Sequence, residues 1–175
     1  MDTNIVNLAL SFDGWVFGGY VRDVLICDLD DFKDIDIAIP EYMDINLFLK
    51  CLNSLGHQLE VYSDFDCPYQ GNSIKRLIKI QICGKLVDLI VVSSFSDWKN
   101  DQSVDMSCNL FYKNSMHLGL RYIPDKFKYF PDPASEIIEL TRQRQFVVIQ
   151  DYETDKLKNR IQKRLLNGWI EKFLE

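Results

Sequence analysis

A strict alternation of charged and apolar residues, the run DIDIAI at positions 34–39, most strongly limits how this chain can fold. A period of two residues is the period of a β-strand, whose successive side chains point to opposite faces. The run therefore predicts a strand at residues 33–40 with its three isoleucines facing a core. Asp34 and Asp36 then project together from the other face.

Two carboxylates at positions i and i+2 of a strand can hold one or two hard cations through their oxygen atoms. Asp88 is a third acid, set in the apolar run LVDLIVV at residues 86–92. An ionised carboxylate in such a run is costly to bury unless a cation or a hydrogen-bond donor meets it. Taken alone, an acid pair is more often a solvent-facing edge, so the metal interpretation needs a second feature beside it.

The second feature is the segment just before this strand. WVF at residues 15–17 predicts a brief buried strand, Gly18-Gly19 interrupts it, and YVRDVLIC at residues 20–27 predicts a helix. A turn without Cβ atoms lets backbone amides approach a ligand, and the helix that follows presents its positive end to an anion. The guanidinium of Arg22 suits phosphate. The alternative is a tight turn with a surface arginine, but a phosphate site beside a cation site favours a ligand.

The rest of the chain predicts one folded domain of mixed secondary structure. Residues 74–83 and 86–92 read as a hairpin through Gly84-Lys85, and a helical turn leads into a strand within residues 105–112. Helices are predicted at residues 5–12, 44–56, 133–142 and 155–174, and a further strand at 145–149. The second of these helices has Asp44 as its cap and Gly56 as its stop.

Composition excludes several classes of function. The chain has 175 residues and a net charge of -6, so phosphates and anionic membranes repel it as a whole. We therefore expect no membrane association and no strong stand-alone binding of nucleic acid. Five widely spaced cysteines without a CxxC motif argue against a zinc site or a disulfide framework, and the acidic N-terminus is not a signal peptide. A cytoplasmic protein with reduced thiols fits best.

The first half of the predicted final helix carries five basic residues: Lys156, Lys158, Arg160, Lys163 and Arg164. Their simplest interpretation is the solvated face of an amphipathic helix. They are alternatively a surface that guides an RNA end or an acidic partner toward a catalytic face.

Taken together, VFGGYVRDVL at residues 16–25 and KDIDIA at 33–38 resemble a known family. The family is the head domain of class II tRNA nucleotidyltransferases and bacterial-type poly(A) polymerases, within the DNA polymerase β nucleotidyltransferase superfamily. Its members share a GGxVRD segment and a DxD pair. The run DMSCNL at residues 105–110 is also similar to the family's RDFTINAL segment. The resemblance covers residues 14–39 and, more weakly, 84–112.

The resemblance implies the nucleotidyltransferase fold, an α/β (α+β) arrangement. Its sheet is small, mixed and mainly antiparallel, with helices on one side and a C-terminal helical extension. We expect a head at residues 1–121 and an extension packed on it at 122–175. Only about 60 residues follow the head motifs, so we do not expect the chain alone to perform CCA addition as its longer relatives do.

The implied reaction moves a nucleoside monophosphate from an NTP to a hydroxyl group and releases pyrophosphate. The acceptor would be an RNA 3′ end, a protein or a small molecule. By family analogy, Asp34 and Asp36 would bind two Mg²⁺ ions, with Asp88 as the third catalytic and metal-binding carboxylate. This matches the physics of phosphoryl transfer, in which two metals clamp the attacking and leaving oxygens. The nucleotide-binding residues would be Gly18, Gly19, Arg22, Asp105 and Asn109.

Two departures from the family pattern leave a competing function open. Ser103-Val104 stand where the family has two arginines before Asp105, and the base-selecting EDxxR segment has no clean counterpart. A catalytically degenerate relative, acting as a nucleotide-binding or antitoxin-type regulatory module, would tolerate such changes. Retention of all three acids favours the enzyme, and Ser103-Val104 favour the module.

Overall fold

The fold is built on one large sheet. A computed structural model describes residues 2–29, 32–55, 59–66, 73–82, 84–100, 104–150 and 154–174. The sheet contains β1 (Trp15–Phe17), β2 (Asp34–Pro40), β3 (Leu59–Asp66), β4 (Ile74–Ile82), β5 (Lys85–Val92), β6 (Phe111–Lys113) and β7 (Leu118–Leu120). Its strand order is β3-β4-β5-β2-β1-β6-β7.

One parallel contact lies at the centre of this sheet. Neighbours β2 and β5 run parallel, whereas every other neighbouring pair in the order is antiparallel. Parallel neighbours need a long connection. Here the connection contains a helix, the edge strand β3 and the strand β4 beside it. The prediction of a mixed, mainly antiparallel sheet in an α/β chain is confirmed.

Helices and short irregular elements complete the described chain. The helices are α1 (Asp2–Ser11), α2 (Gly18–Tyr20), α3 (Ile45–Ser54), α4 (Phe95–Asn100), α5 (Pro133–Arg142) and α6 (Asp155–Leu166). Helix α2 continues directly into a π-helix (Val21–Ile26), and 3₁₀ turns occur at Ser107–Asn109 and Asp125–Phe127. Two short strands, β8 (Gln145–Phe146) and β9 (Ile170–Glu171), pair in parallel.

The main core lies on the isoleucine face of β2. Ile35 and Ile37 are fully buried there, together with Phe48 of α3 and residues of α1. Core members also come from beyond residue 121, namely Phe127, Ile137 and Val147. A smaller apolar cluster on the other face includes Ala38 and Trp98, so α4 covers part of the face that carries the acids.

Local signals placed most elements correctly. Asp44 caps α3, with its Oδ1 atom accepting a hydrogen bond from the Leu47 amide at 3.0 Å. Gly56, the predicted stop of that helix, lies outside the described residues. Strand β3, helix α4 and strand β7 were not predicted. Strand β3 is an outer strand with mostly exposed residues, so its sequence lacks the apolar alternation that marks a half-buried strand.

The last helix is shorter than its periodicity predicted. Helix α6 ends at Leu166 instead of continuing to residue 174. Gly168 has a φ of +79°, its amide donates to the Leu165 carbonyl, and the Trp169 amide donates to the Arg164 carbonyl. This pair of hydrogen bonds is a Schellman motif, which ends a helix at a glycine. Ile170, which lies beyond the end of α6, is exposed.

Replacing Phe48 with alanine is expected to lower the free energy of unfolding by about 3–5 kcal/mol, because the ring is fully buried and its loss leaves a cavity. Leu47→Ala, on the exposed side of the same helix, is the matched control and should cost well under 1 kcal/mol. Urea denaturation measures both. Equal losses for the two variants would contradict the placement of the core.

Two features bear on the cellular setting. Cys27, Cys51 and Cys108 are free thiols in the structure, whereas Cys67 and Cys83 lie outside the described residues. No helix in the described part of the chain is both long and apolar enough to cross a membrane.

Candidate active site

The three predicted catalytic acids lie on the two strands that form the parallel contact. Asp36 of β2 is directly opposite Asp88 of β5 in the strand register. Asp34 lies two residues before Asp36 and therefore on the same face of β2. Folding thus brings together acids that are 52 positions apart in sequence.

Asp36 lies in a crowded electrostatic environment. Burial raises the pKa of its carboxyl group to about 7, and the negative charges of Asp34 and Asp88 add to the rise. A hydrogen bond from the Gly19 backbone amide and the positive charge of Arg22 oppose it. The pKa is therefore raised first by burial and then by two neighbouring carboxylates, both of which disfavour the ionised form of Asp36.

Lys79 is a neighbour of this site that our sequence analysis missed. Its Nζ atom lies 3.2 Å from Asp88 Oδ2, and the lysine side chain is about half exposed. The hairpin register contained the signal, because Ile82 pairs with Lys85 across the turn, and the same pairing sets Lys79 opposite Asp88. The partial charge compensation of Asp88 therefore comes from the adjacent strand β4.

These acids suit a hard divalent cation in donor chemistry. Carboxylate oxygens are the ligands that Mg²⁺ prefers, and a cation would neutralise the excess charge around Asp36. As the side chains stand, no three His, Cys, Asp or Glu residues among those described converge as a ready metal site. Mutual repulsion of ionised carboxylates opposes such convergence when no cation is bound.

The glycine turn packs directly against the acids. Gly18 has a φ of +69°, and a Cβ atom added to it would overlap the Asp36 carboxylate. A Cβ atom added to Gly19 would lie 3.5 Å from Arg22 Nη2 and 3.8 Å from Asp34 Oδ1. Gly18 is therefore required both by its positive φ and by the close approach of the Asp36 carboxylate. Gly19 lies close to Arg22 and to Asp34.

The structure places Arg22 inside the protein. The residue is 4% exposed, and its Nε and Nη2 atoms donate to the two carboxylate oxygens of Asp23 at 2.7 and 2.5 Å. Nη1 donates to Asn109 Oδ1 at 2.6 Å. Both Arg22 and Asp23 belong to the π-helix, a rare geometry that occurs frequently at functional sites.

The other two predicted nucleotide-binding residues belong to the same hydrogen-bonded network. Asn109 Nδ2 donates to Asp105 Oδ1 at 3.2 Å, and Arg160 Nη1 of α6 donates to Asp105 Oδ2 at 2.5 Å. Asp105 is buried, and Val104 beside it is buried too, whereas Ser103 lies outside the described residues. The network thus connects Arg22, Asn109, Asp105 and Arg160 in order.

A separate pocket of about 340 Å³ lies near the C-terminal segment. Its walls include Lys126, Tyr129, Val148, Lys172 and Phe173. It contains none of the predicted site residues. Chemistry and strand register, not the depth of a cavity, identify the candidate site.

Comparison with known proteins supports the fold. No protein-family profile and no curated protein matches the sequence. Among solved structures, a tRNA-processing enzyme in an apo form matches 97% of this chain at a TM-score of 0.57 and 14% identity. A CCA-adding enzyme in complex with ATP matches 94% at a TM-score of 0.57 and 16% identity. A CCA-adding enzyme in complex with CTP matches 98% at a TM-score of 0.58 and 15% identity.

The chain therefore has the nucleotidyltransferase fold of these tRNA-processing and CCA-adding enzymes. The resemblance inferred from the GGxVRD and DxD segments is confirmed at the level of the fold. The match covers 44%, 38% and 40% of the three solved chains, so this chain spans less than half of each.

Proposed function

We propose that this chain is a Mg²⁺-dependent nucleotidyltransferase that moves a nucleoside monophosphate from an NTP to a hydroxyl acceptor and releases pyrophosphate. One observation carries the proposal: Asp36 and Asp88 face each other across two parallel strands, with Asp34 on the same face. The Gly18-Gly19 turn packs against these acids and leaves no side chain between them and a phosphate. ATP and CTP complexes among the structural neighbours support an NTP as the substrate.

The three acids share metal binding in this proposal, and Asp88 also accepts a proton. Asp34, Asp36 and Asp88 would hold Mg²⁺, which when bound neutralises charge on the phosphate and on the attacking oxygen. The acceptor oxygen bonds to the α-phosphorus while the bond to the bridging oxygen of the β-phosphate breaks. The hydroxyl proton passes to the Asp88 carboxylate, whose ion pair with Lys79 holds it on the reacting face.

Residues on the other side of the glycine turn would bind the nucleotide. The Gly18-Gly19 turn has no Cβ atom to keep phosphate oxygens from its backbone, and the Gly19 amide itself donates to Asp36. Arg22 lies behind this turn and adds positive charge. Asp105 and Asn109 would face the sugar or the phosphates. We further propose a catalytic head at residues 1–121, with residues 122–175 packed on it.

We propose an RNA 3′ hydroxyl as the first acceptor to test, because the structural neighbours are tRNA-processing and CCA-adding enzymes. The net charge of -6 disfavours tight binding of RNA by this chain alone. The acceptor end would then be held weakly or delivered by a partner. A protein or small-molecule hydroxyl is the alternative acceptor.

A second candidate is a catalytically inactive nucleotide-binding or regulatory module. The burial of Arg22 and its paired contact with Asp23 favour it, because a guanidinium committed in this way is less available to a substrate phosphate. An inactive module and an enzyme differ in metal-linked NTP binding. Calorimetric titration of each NTP with and without Mg²⁺ separates the two.

The test of transfer uses each α-labelled NTP with Mg²⁺ and mixtures of RNA and protein acceptors. We expect labelled acceptor and released pyrophosphate, with loss of at least about 100-fold in Asp34→Asn because a metal-binding charge is removed. Asp125→Asn, an exposed acid of the extension, is the matched control and should retain activity. Absence of both labelling and Mg²⁺-linked NTP binding would overturn the proposal and favour the inactive module.

A further inference from the structure

The structure divides the five basic residues of α6 into two sets. Lys156 and Lys163 are exposed on the outer side of the helix, as is Lys158. Arg160 and Arg164 lie three and seven residues after the buried Leu157, so they share its inward side. Arg160 reaches the buried Asp105, and Arg164 is itself partly buried. The solvated-face interpretation therefore holds for the lysines, holds in part for Arg160, whose side chain is about half exposed, and does not hold for Arg164.

The end of α6 returns the chain onto the same arginines. The Schellman motif at Gly168 directs Trp169 inward, and this residue is only 5% exposed. The guanidinium carbon of Arg164 lies 5.6 Å from the centre of the Trp169 ring, and that of Arg22 lies 5.7 Å from it. One tryptophan thus holds two guanidinium groups from distant parts of the sequence at cation–π distance.

Positive charge is in excess at this place. Asp23 is committed to Arg22, and Asp105 is committed to Arg160. Within the described residues Arg164 has no carboxylate ion pair, and its pKa is lowered by burial and then by the positive charge of Arg22. Cys108 beside them stays a neutral thiol, because burial raises its pKa to about 11. Among the described residues, three guanidinium groups therefore share two carboxylate ion pairs.

This excess lies next to the candidate active site. A Cβ atom added to Gly19 would lie 3.5 Å from Arg22 Nη2 and 3.8 Å from Asp34 Oδ1, so Arg22 and the predicted catalytic acids lie close together beside one glycine turn. A ligand with several linked phosphates could contact a cation held by the acids at one end and the arginines at the other. Planar guanidinium groups bind phosphate oxygens through paired hydrogen bonds.

We propose that Arg164 of α6 binds the terminal phosphates of a polyphosphate ligand, that the buried Arg22 adds positive charge beside it, and that Arg160 positions Asp105 there. Identifying this ligand as the triphosphate of an NTP rests on the proposed transferase function, whereas the anion site itself does not. The C-terminal helix would then complete a nucleotide site whose other residues come from the first 110 positions. The same phosphate chemistry could be offered by an RNA backbone, and the test separates the two sources.

The experiment is calorimetric titration with inorganic tripolyphosphate, ATP and a 5′-hydroxyl RNA oligonucleotide. We expect Arg164→Ala to weaken tripolyphosphate and ATP binding at least about tenfold, as loss of a charge-assisted phosphate contact should. Arg164→Lys keeps the charge but loses the planar guanidinium group. Its affinity for tripolyphosphate should fall between those of Arg164→Ala and the unaltered protein. Arg142→Ala, an exposed arginine on α5, is the matched control and should bind as the unaltered protein does. Thermal unfolding of each variant verifies that it is folded.

Unchanged tripolyphosphate binding in Arg164→Ala would overturn the site, whether or not the protein transfers nucleotides. Weakened RNA binding with unchanged tripolyphosphate binding would also overturn it and would indicate a backbone-phosphate contact instead. Loss of tripolyphosphate binding in a protein that labels no acceptor would support the anion site and contradict only the transferase function. If Arg164→Ala does not fold, weaker tripolyphosphate binding by Arg164→Lys than by Arg142→Ala supports the site, and equal binding overturns it.

Discussion

Replacing Asp36 with asparagine is expected to abolish nucleotide transfer and, at the same time, to stabilise the metal-free protein. Asp36 is opposite Asp88 and beside Asp34, so its charge is needed for a cation and is unfavourable without one. We expect activity to fall by at least about 1000-fold, since the variant lacks a carboxylate that we propose to bind the metal. An amide keeps the size of the side chain and removes the repulsion.

The stability effect has a defined pH dependence. The pKa of Asp36 is raised in the folded state from an ordinary 3.8 to about 7, so the folded protein binds more protons than the unfolded chain between these values. Stability of the unaltered protein therefore falls as the pH rises from about 4 to about 7. Above pH 7, Asp36→Asn should be more stable by roughly 2–4 kcal/mol, an increase of on the order of 5 °C or more in Tm.

Thermal unfolding in EDTA from pH 5 to pH 8 measures this difference. The gap between Asp36→Asn and the unaltered protein should widen with pH and should narrow when Mg²⁺ is added, since a ligand of the folded state stabilises only the protein that binds it. Asp97→Asn, on the exposed side of α4, is the control. Its Tm should equal that of the unaltered protein at each pH. A destabilised Asp36→Asn protein at pH 8 would contradict the described crowding of negative charge.

The second large effect is expected for Gly18→Ala. A Cβ atom at this position would overlap the Asp36 carboxylate, and the φ of +69° is unfavourable for any residue with a side chain. Asp36 must move or the turn must change its conformation. Either response displaces a catalytic acid, so we expect a loss of activity of at least about 100-fold. Stability should fall by roughly 1–3 kcal/mol.

Gly84→Ala is the matched control for this substitution. Gly84 has a φ of +78°, so it carries the same conformational cost, but no atom lies within 4 Å of an added Cβ. It should lower stability by roughly 1–2 kcal/mol without a change in kcat. Steady-state kinetics and urea denaturation of both variants separate backbone strain from displacement of Asp36. Equal kinetic losses would show that the close approach to Asp36 has no catalytic importance.

Much of the fold could be predicted because its signals are local. The alternation in residues 34–39 can bury its isoleucines only as a strand, and Asp44 caps a helix through a hydrogen bond to an amide three residues away. Strand β3 escaped prediction because it is an exposed outer strand, whose identity comes from pairing with β4. Its backbone hydrogen bonds stabilise it without an apolar face of its own.

The candidate site was predictable in part for the same reason. The DxD pair and the glycine turn are each contained in a few residues, so residue type and spacing indicate their chemistry. Lys79 could have been found from the hairpin register, which is fixed by the short turn at Gly84. Arg160 could not, because a helical periodicity does not reveal that its inward side meets Asp105, 55 positions away.

Sequence alone thus established the strand with its two acids and the glycine turn before it. The period of two residues and the two glycines each span only a few positions. They can therefore be recognised without knowing which residues they contact in the fold. Tertiary structure alone set Asp36 opposite Asp88, enclosed Arg22, and brought Arg164 and Trp169 of the C-terminal segment against it. Those contacts depend on strand order and helix docking, which minimise the free energy of the whole chain and leave no local pattern.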